Sequence, residues 1–211
     1  MSNPFIGIEL AGRAREIYSA RYIEEVKVLE IVYGLKYEEG IKKFTHTIRL
    51  SRTSSIIIIN GSLFEEAVGE GFLPTDLVEQ TDWDSENEKG KLGHLIAATI
   101  FEKEGCKDVK IDDSGRNAWK ENKYYTFDAC GTVNGEFIGS EVKLSTVSKE
   151  EMFEKLNDKY TQDQLVKNMK SWNSIAPKHN EPLVSRGTII AIYVNKDTGH
   201  FWFAVKWVDA P

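Results

Sequence analysis

Two acidic residues and one lysine, Asp128, Glu141 and Lys143, form the group of side chains in this sequence that is best suited to chemistry. Two carboxylates held side by side repel each other unless a cation or a proton lies between them. A hard divalent ion satisfies such a pair, and Mg²⁺ commonly binds one or two carboxylates together with water and substrate phosphate. A nearby lysine can orient or deprotonate a water molecule, or stabilise charge on a phosphate. Together these groups suffice for hydrolysis of a phosphodiester bond.

The fold-back that would bring the acids together is predicted at Asn134-Gly135, the strongest two-residue signal for a β-hairpin. A turn there pairs Val133 with Glu136, and outward counting pairs Asp128 with Glu141. Directly opposed residues share one face of the sheet and lie about 5 Å apart at Cβ. The two predicted strands are Tyr124–Val133 and Glu136–Leu144. We therefore expect the acid pair, with the lysine two residues further along, on one face of this hairpin.

The other face of the hairpin is apolar and is expected to face the core. It holds Phe127, Ala129, Val133, Ile138, Val142 and Leu144. Cys130 shares the face of the acids, but no histidine at a suitable spacing supports a thiol nucleophile, so a packing role is favoured. A bulge would break this register, and Gly131 or Gly139 could host one.

Helices and further strands are predicted on both sides of the hairpin. Apolar residues from Leu92 to Ile100 recur at helical spacing, and Gly105 ends that helix. The other elements are a strand at Lys107–Asp112, helices at Lys149–Asn157 and Thr161–Trp172, and strands at Thr188–Val194 and His200–Trp207. The aromatic residues of the last strand, Phe201, Trp202, Phe203 and Trp207, are expected to be core. This order predicts an α/β (α+β) fold with a mixed central β-sheet flanked by helices.

The sequence pattern of the N-terminal part of the chain predicts its secondary structure less clearly. Its predicted elements are a helix at Gly12–Tyr22, an ambiguous segment at Val26–Tyr33, strands at Phe44–Leu50 and Ser55–Asn60, and a short helix from Ser62 to Gly69. The acidic stretch Asp82–Glu88 is the best candidate for a boundary, or else a surface loop within one domain. Residues 1–88 are therefore expected to be a recognition or dimerisation region, or an elaboration of the same domain, and residues 89–211 the core.

Composition and charge limit the possible functions. Of the 211 residues, 41% are hydrophobic and 28% charged, as is usual for globular proteins. The 27 cationic and 33 anionic side chains give a net charge of −6, which disfavours a nucleic-acid binder unless basic residues cluster on one face. Two cysteines, no visible secretory signal and no apolar run longer than Ile189–Val194 predict a soluble, cytoplasmic protein without a membrane segment.

Asp128, followed thirteen residues later by Glu141-Val142-Lys143, resembles the motif of the PD-(D/E)xK nuclease superfamily. That group includes restriction endonucleases, Holliday-junction resolvases and recombination exonucleases. The resemblance covers about residues 91–207, where the predicted element order matches the family's core of helix, three strands, helix and strand. Phe127 stands where the proline of the motif would be, at a position that varies within the superfamily. The resemblance implies a restriction endonuclease-like fold.

The resemblance also implies a role for each residue of the motif. Asp128 and Glu141 would be metal ligands, and the main-chain carbonyl of Val142 often supplies another ligand in such sites. Lys143 would position the attacking water. The implied cofactor is Mg²⁺, for which Mn²⁺ is expected to substitute.

Residues on the two neighbouring helices complete the implied site. In the RecB-like branch a histidine on the preceding helix is a metal ligand, which makes His94 the candidate. Glu102 is the alternative, although it lies late in the helix. Some members place a glutamine on the following helix, a part that Gln164 or Gln162 could play, but no tyrosine stands four residues after Gln164.

The sequence therefore predicts a Mg²⁺-dependent nuclease, expected to be an endonuclease that acts on DNA. RNA as substrate stays open, as does the choice between a restriction-type and a repair or recombination enzyme. Double-strand cutting requires two active sites, which a homodimer would supply. One alternative is a catalytically inactive nuclease-fold module that binds nucleic acid or a protein partner. The other is a solvated strand face with an ordinary ion pair, which contributes about 0–1 kcal/mol.

Overall fold

A computed structural model of the chain describes residues 15–23, 28–37, 40–49, 56–112 and 127–211. The contacts form two compact units, one containing the described strands between residues 15 and 49 and the other containing the described residues from 56 onward. The acidic stretch Asp82–Glu88 lies inside the second unit, and the division between the units falls between Ser55 and Ile56. Each unit has its own sheet.

The first unit contains an antiparallel sheet of three described strands. They are β1 (Arg15–Ile23), β2 (Val28–Tyr37) and β3 (Gly40–Arg49), in the order β1-β2-β3. The helix expected at Gly12–Tyr22 is wrong where the chain is described, because Ile17, Tyr18 and Tyr22 are strand-forming residues and β2 supplies a pairing partner. The ambiguous segment is resolved as strand β2, and the strand expected at Phe44–Leu50 is confirmed as far as Arg49.

The second unit contains a mixed sheet of seven described strands, which confirms the predicted mixed α/β architecture. In spatial order β4-β5-β10-β9-β8-β7-β6, the strands are β4 (Ile57–Asn60), β5 (Gly69–Phe72), β6 (Lys107–Ile111), β7 (Ala129–Val133), β8 (Glu136–Ser145), β9 (Arg186–Val194) and β10 (His200–Asp209). The pair β8–β9 is parallel and the other neighbours are antiparallel. A parallel pair requires a crossover, which the helices between these two strands provide.

Four described helices flank this sheet, followed by a short 3₁₀ turn at Ala176–His179. They are α1 (Thr75–Gln80), α2 (Glu86–Lys103), α3 (Lys149–Asn157) and α4 (Lys159–Ile175). Helix α2 starts six residues before Leu92, where its apolar pattern begins, because the Ser85 side chain accepts a hydrogen bond from the Glu88 amide and caps the helix. The acids of the first turn suit the positive end of the helix dipole. No helix in the described part of the chain is long and apolar enough to cross a membrane.

The short helix expected from Ser62 to Gly69 is wrong. The Ser62 hydroxyl accepts from the amide of Phe64, two residues on, and so forms a local turn instead of a helix cap. Gly69 then begins strand β5, where a Cβ atom would collide with the Phe203 ring of β10. The strand expected at Ser55–Asn60 is confirmed from Ile57, and it pairs with β5.

Both faces of the seven-stranded sheet are covered by helices. On one face, α2 buries Leu92, Ile96 and Ile100 against Ile138 and Val142. On the other face, α3 and α4 bury a second core cluster, which includes Met152, Leu165, Met169, Trp172, Phe137 and Cys130. Glu141 is buried beneath these helices, so the interpretation as a solvated strand face is wrong for this residue.

Phe127 lies on the opposite face from the one expected. It packs in the second cluster, with ring centroids 6.2 Å from Phe137 and 6.1 Å from Trp172. The regular ladder between β7 and β8 ends at Ala129, so strict alternation does not continue to residue 127. Gly139 makes room for the Phe127 ring, because a Cβ atom there would lie 2.5 Å from it.

Candidate metal centre

The hairpin β7–β8 has the register that its turn predicts. Asn134 and Gly135 both have positive φ, 52° and 81°, as a tight two-residue hairpin turn requires. The ladder runs from Val133↔Glu136 to Ala129↔Ser140. Asp128 precedes the first residue of β7, and its amide donates to the Ser140 carbonyl at 3.0 Å. The acid therefore lies at the open end of the hairpin.

Asp128 is tied to the middle of β8 by its side chain. Its Oδ2 accepts a hydrogen bond from the Val142 amide at 2.8 Å, and this amide lies between Glu141 and Lys143 in sequence. In a strand, the N–H and C=O of one residue point to the same neighbour, so the Val142 carbonyl also lies on the Asp128 side. The structure thus brings together the two acids, the lysine and the main-chain groups of Val142.

Glu141 is a buried carboxylate with a protein donor on each oxygen. Its side chain is 1% exposed, whereas those of Asp128 and Lys143 are 24% and 28% exposed. Lys143 Nζ donates to Oε1 at 2.7 Å, and Asn168 Nδ2 donates to Oε2 at 3.3 Å. The acid pair therefore reaches solvent through Asp128 and the lysine.

The environment of Glu141 opposes its negative charge. Burial, followed by the neighbouring Asp128 carboxylate, raises the pKa of Glu141 to about 7, against the opposing effect of the Lys143 ammonium. Loss of solvation and a like charge both disfavour the ionised form. A divalent cation beside the pair would remove this penalty, since its charge offsets both carboxylates.

Helix α4 supplies two polar side chains to this group. Gln164 Oε1 lies 3.5 Å from Lys143 Nζ, at the outer limit of a hydrogen bond. Gln162, the alternative glutamine, instead donates to the Asn157 carbonyl and lies outside the group. Asn168 was not among the residues expected here. Its spacing of four from Gln164 places both on one side of the helix, and that spacing is the signal in the sequence that could have indicated it.

His94 on α2 faces Asp128 with the ring nitrogen that can bind a cation. Its Nδ1 lies 2.7 Å from the Asp112 carbonyl oxygen, which can only accept, so Nδ1 carries a proton. In the neutral ring, Nε2 then presents its lone pair, and it lies 3.6 Å from Asp128 Oδ1. Metal-binding histidines usually donate their other ring N–H to a carbonyl or carboxylate in this way.

Glu102, the alternative on the same helix, is placed differently. It follows His94 by eight residues, which corresponds to about 12 Å along the helix axis. Glu102 is exposed, and the burial of part of its carboxyl group raises the pKa of Glu102. The structure therefore brings His94, and not Glu102, to the acid pair.

The donor atoms of this group fit a hard divalent ion that retains some water molecules as ligands. In the described ranges, no three His, Cys, Asp or Glu side chains converge closely enough to hold an ion by themselves. Mg²⁺ does not require such a cage, because it usually retains several waters and binds one or two carboxylates plus substrate phosphate. Asp128, Glu141 and the Val142 carbonyl offer oxygen ligands of this kind, and His94 Nε2 lies 3.6 Å from Asp128 Oδ1.

Compared with known proteins, the chain matches no family model, no curated protein and no solved structure.

Cys130 does not add chemistry to the group. It is 4% exposed within the second core cluster. Burial raises the pKa of its thiol to about 11, so the thiolate is scarce at neutral pH. This environment agrees with the expected packing role.

Proposed function

We propose that this chain is a metal-dependent nuclease of the PD-(D/E)xK superfamily, with a restriction endonuclease-like core that hydrolyses phosphodiester bonds of DNA. The observation that carries the proposal is the convergence of Asp128, buried Glu141 and Lys143 at the open end of one hairpin. Two neighbouring carboxylates repel each other in the absence of a cation. The single positive charge of Lys143 balances only one of them, so a further cation is expected at the pair. The expected cofactor is Mg²⁺, with Mn²⁺ as a substitute.

The order of elements supports the same proposal. The described chain from α2 through β6, β7 and β8 to α3, α4 and β9 follows the helix, three-strand, helix, strand order of the family core. The helix histidine lies 3.6 Å from Asp128 Oδ1, and the glutamine of the following helix lies 3.5 Å from the ammonium of Lys143. Because short motifs of this type are degenerate, this agreement between sequence order and spatial position adds weight that the motif alone lacks.

Each residue has a defined task in the proposed reaction. Asp128, Glu141, the Val142 carbonyl and His94 would hold the metal, and Lys143 would orient the attacking water and face the phosphate. Gln164 would keep the ammonium of Lys143 near this position. When bound, the divalent ion lowers the pKa of its water and stabilises negative charge on the phosphate. The net charge of −6 makes DNA binding depend on the ion and on local lysines.

The proposal is tested by incubating the protein with linear, circular and branched DNA, and with RNA, with and without Mg²⁺. We expect Mg²⁺-dependent cleavage by the wild-type protein and by Gln162→Ala, and loss of cleavage in Lys143→Ala and Asp128→Asn. Cutting of circular DNA would show endonuclease activity. Cleavage without a divalent ion, or equal cleavage by wild type and Lys143→Ala, would overturn the proposal. Binding of nucleic acid without any cleavage would favour an inactive nuclease-fold module.

A further inference from the structure

Asn168 donates a hydrogen bond from helix α4 to the buried carboxylate of β8. Its Nδ2 lies 3.3 Å from Glu141 Oε2, across 27 residues of sequence. A carboxylate that binds a cation is ionised and can only accept hydrogen bonds, so it is the amide nitrogen of Asn168 that suits this contact. Lys143 occupies the other oxygen, Oε1, at 2.7 Å. The two donors therefore hold the plane of the Glu141 carboxylate from two sides.

These two hydrogen bonds use only part of the accepting capacity of the Glu141 carboxylate. Each carboxylate oxygen has two lone pairs, so one donor on each oxygen leaves one lone pair on each available to a metal. The carboxylate can then bind an ion without first breaking the contact to Asn168. A ligand that is already oriented binds an ion with less loss of side-chain freedom.

A carboxamide is well suited to this position because it donates a hydrogen bond without adding charge. A lysine or arginine at residue 168 would compete with the cation for Glu141, and an acid would repel the carboxylate. Asn168 also borders Leu165, Met169 and Trp172, buried residues that anchor α4 on the sheet. Its amide is consequently held by a rigid element, as a precise ligand geometry requires.

We propose that Asn168 is a positioning residue that orients Glu141 for the divalent ion, an inference that rests on the proposed nuclease function. It acts through Glu141 and does not itself contact substrate or metal. Outer-shell partners of metal ligands typically contribute about 10- to 100-fold to metal affinity or activity. The structure assigns to Gln164, one helical turn earlier, the matching contact to Lys143.

The experiment compares wild type with Asn168→Leu, Asn168→Ala and Asn168→Gln. Leucine keeps the number of side-chain heavy atoms and the branch at Cγ but removes the donor, and glutamine keeps an amide donor. Gln162→Ala on the same helix is the control, because its amide donates to a helix carbonyl instead of to the site. Mn²⁺ binding to the metal-free protein is measured by calorimetry, and kcat and KM are measured on DNA. Thermal melting in EDTA monitors the fold.

We expect Asn168→Leu and Asn168→Ala to bind Mn²⁺ about 10- to 100-fold more weakly, with lower kcat at limiting metal and unchanged KM for DNA. Asn168→Gln should recover most of the affinity, and Gln162→Ala should match wild type. If wild type binds Mn²⁺ and cuts DNA but Asn168→Leu does so equally well, the role of Asn168 is overturned and the nuclease proposal stands. A changed KM with unchanged Mn²⁺ affinity also overturns it. If wild type neither binds Mn²⁺ nor cuts, both proposals fail.

Discussion

The carboxylate of Asp128 accepts a hydrogen bond from the main-chain amide of Val142, with 2.8 Å between Oδ2 and N. This contact continues the link between the two hairpin strands past the point where the regular ladder ends at Ala129. One side chain thus takes the place of a ladder bond and, by doing so, stands beside Glu141. Asp128 therefore has two effects: its hydrogen bond to Val142 stabilises the hairpin, and its charge disfavours the ionised form of Glu141. Different substitutions of Asp128 can separate these effects.

Replacing Asp128 by asparagine should preserve the fold and abolish metal binding. The amide oxygen of asparagine can still accept from the Val142 amide, whereas the charge that a cation needs is removed. Alanine removes the acceptor as well, so we expect Asp128→Ala to unfold about 1–2 kcal/mol more easily than Asp128→Asn in EDTA. Denaturant unfolding measures the difference. Equal stability of the two variants would show that the hydrogen bond to Val142 contributes nothing measurable.

Glu141 should make the metal-free protein less stable as the pH rises through neutrality. Its pKa in the folded chain is raised to about 7, so between its unfolded value and that pH the native state binds more protons than the unfolded state. Stability then falls with increasing pH over this range, by on the order of 1–3 kcal/mol. Glu141→Gln cannot ionise and should lack this slope. The measurement is denaturant unfolding of both proteins in EDTA from pH 4.5 to 8.

Saturating Mn²⁺ provides the control for that measurement. A bound cation favours the ionised carboxylate, so wild type should lose most of its dependence on pH when metal is present. The pH dependence of the stability of Glu141→Gln should be unaffected by Mn²⁺. A wild-type protein whose stability is flat across this range without metal would show that Glu141 is not perturbed as its surroundings indicate.

Glu136, at the tip of the same strand, should show the opposite dependence. Arg186 of β9 donates from Nε and Nη2 to its two oxygens at 2.9 and 3.0 Å, and these hydrogen bonds lower the pKa of Glu136. The contribution is present above the unfolded pKa and lost as pH falls through the folded one. The Arg186 and Glu136 side chains are 41% and 32% exposed, so we expect about 0.5 kcal/mol. The test is to measure the free energy of unfolding of wild type and Glu136→Gln at pH 7 and at pH 3. A larger loss of stability in the variant at pH 3 than at pH 7 would contradict the prediction.

The hairpin was predictable because its turn fixes its register. Asn134 and Gly135 both adopt positive φ, and every pair from Val133↔Glu136 to Ala129↔Ser140 follows by counting. The prediction failed for Phe127 because the turn does not encode where the ladder ends. The Phe127 ring lies on the opposite face, in a cluster with Phe137 of the same hairpin and Trp172 of α4.

Two other outcomes show what a local pattern cannot specify. The segment at Gly12–Tyr22 was expected to be a short helix, yet its described part pairs with β2 as a strand, and pairing partners are not visible in a local window. Asn168 was missed because its contact depends on the rotation of α4 about its axis relative to β8. That rotation is set by the burial of residues such as Leu165 and Met169, and not by the residues of the motif.

Substitutions of the two candidate ligands on α2, His94 and Glu102, should affect metal binding differently. His94 presents Nε2 toward Asp128 at 3.6 Å while its other nitrogen is held by the Asp112 carbonyl, whereas Glu102 lies exposed about two turns further along the helix. We therefore expect His94→Ala to weaken Mn²⁺ binding at least tenfold, a loss of about 1.4 kcal/mol.

Glu102→Ala serves as the matched variant, because it removes a carboxylate of the same helix at a distance from the acid pair. A divalent ion at about 100 times its dissociation constant should stabilise wild type and Glu102→Ala by about 2.7 kcal/mol, and His94→Ala by clearly less, in a thermal melt with Mn²⁺. The reverse ranking would assign the ligand to Glu102.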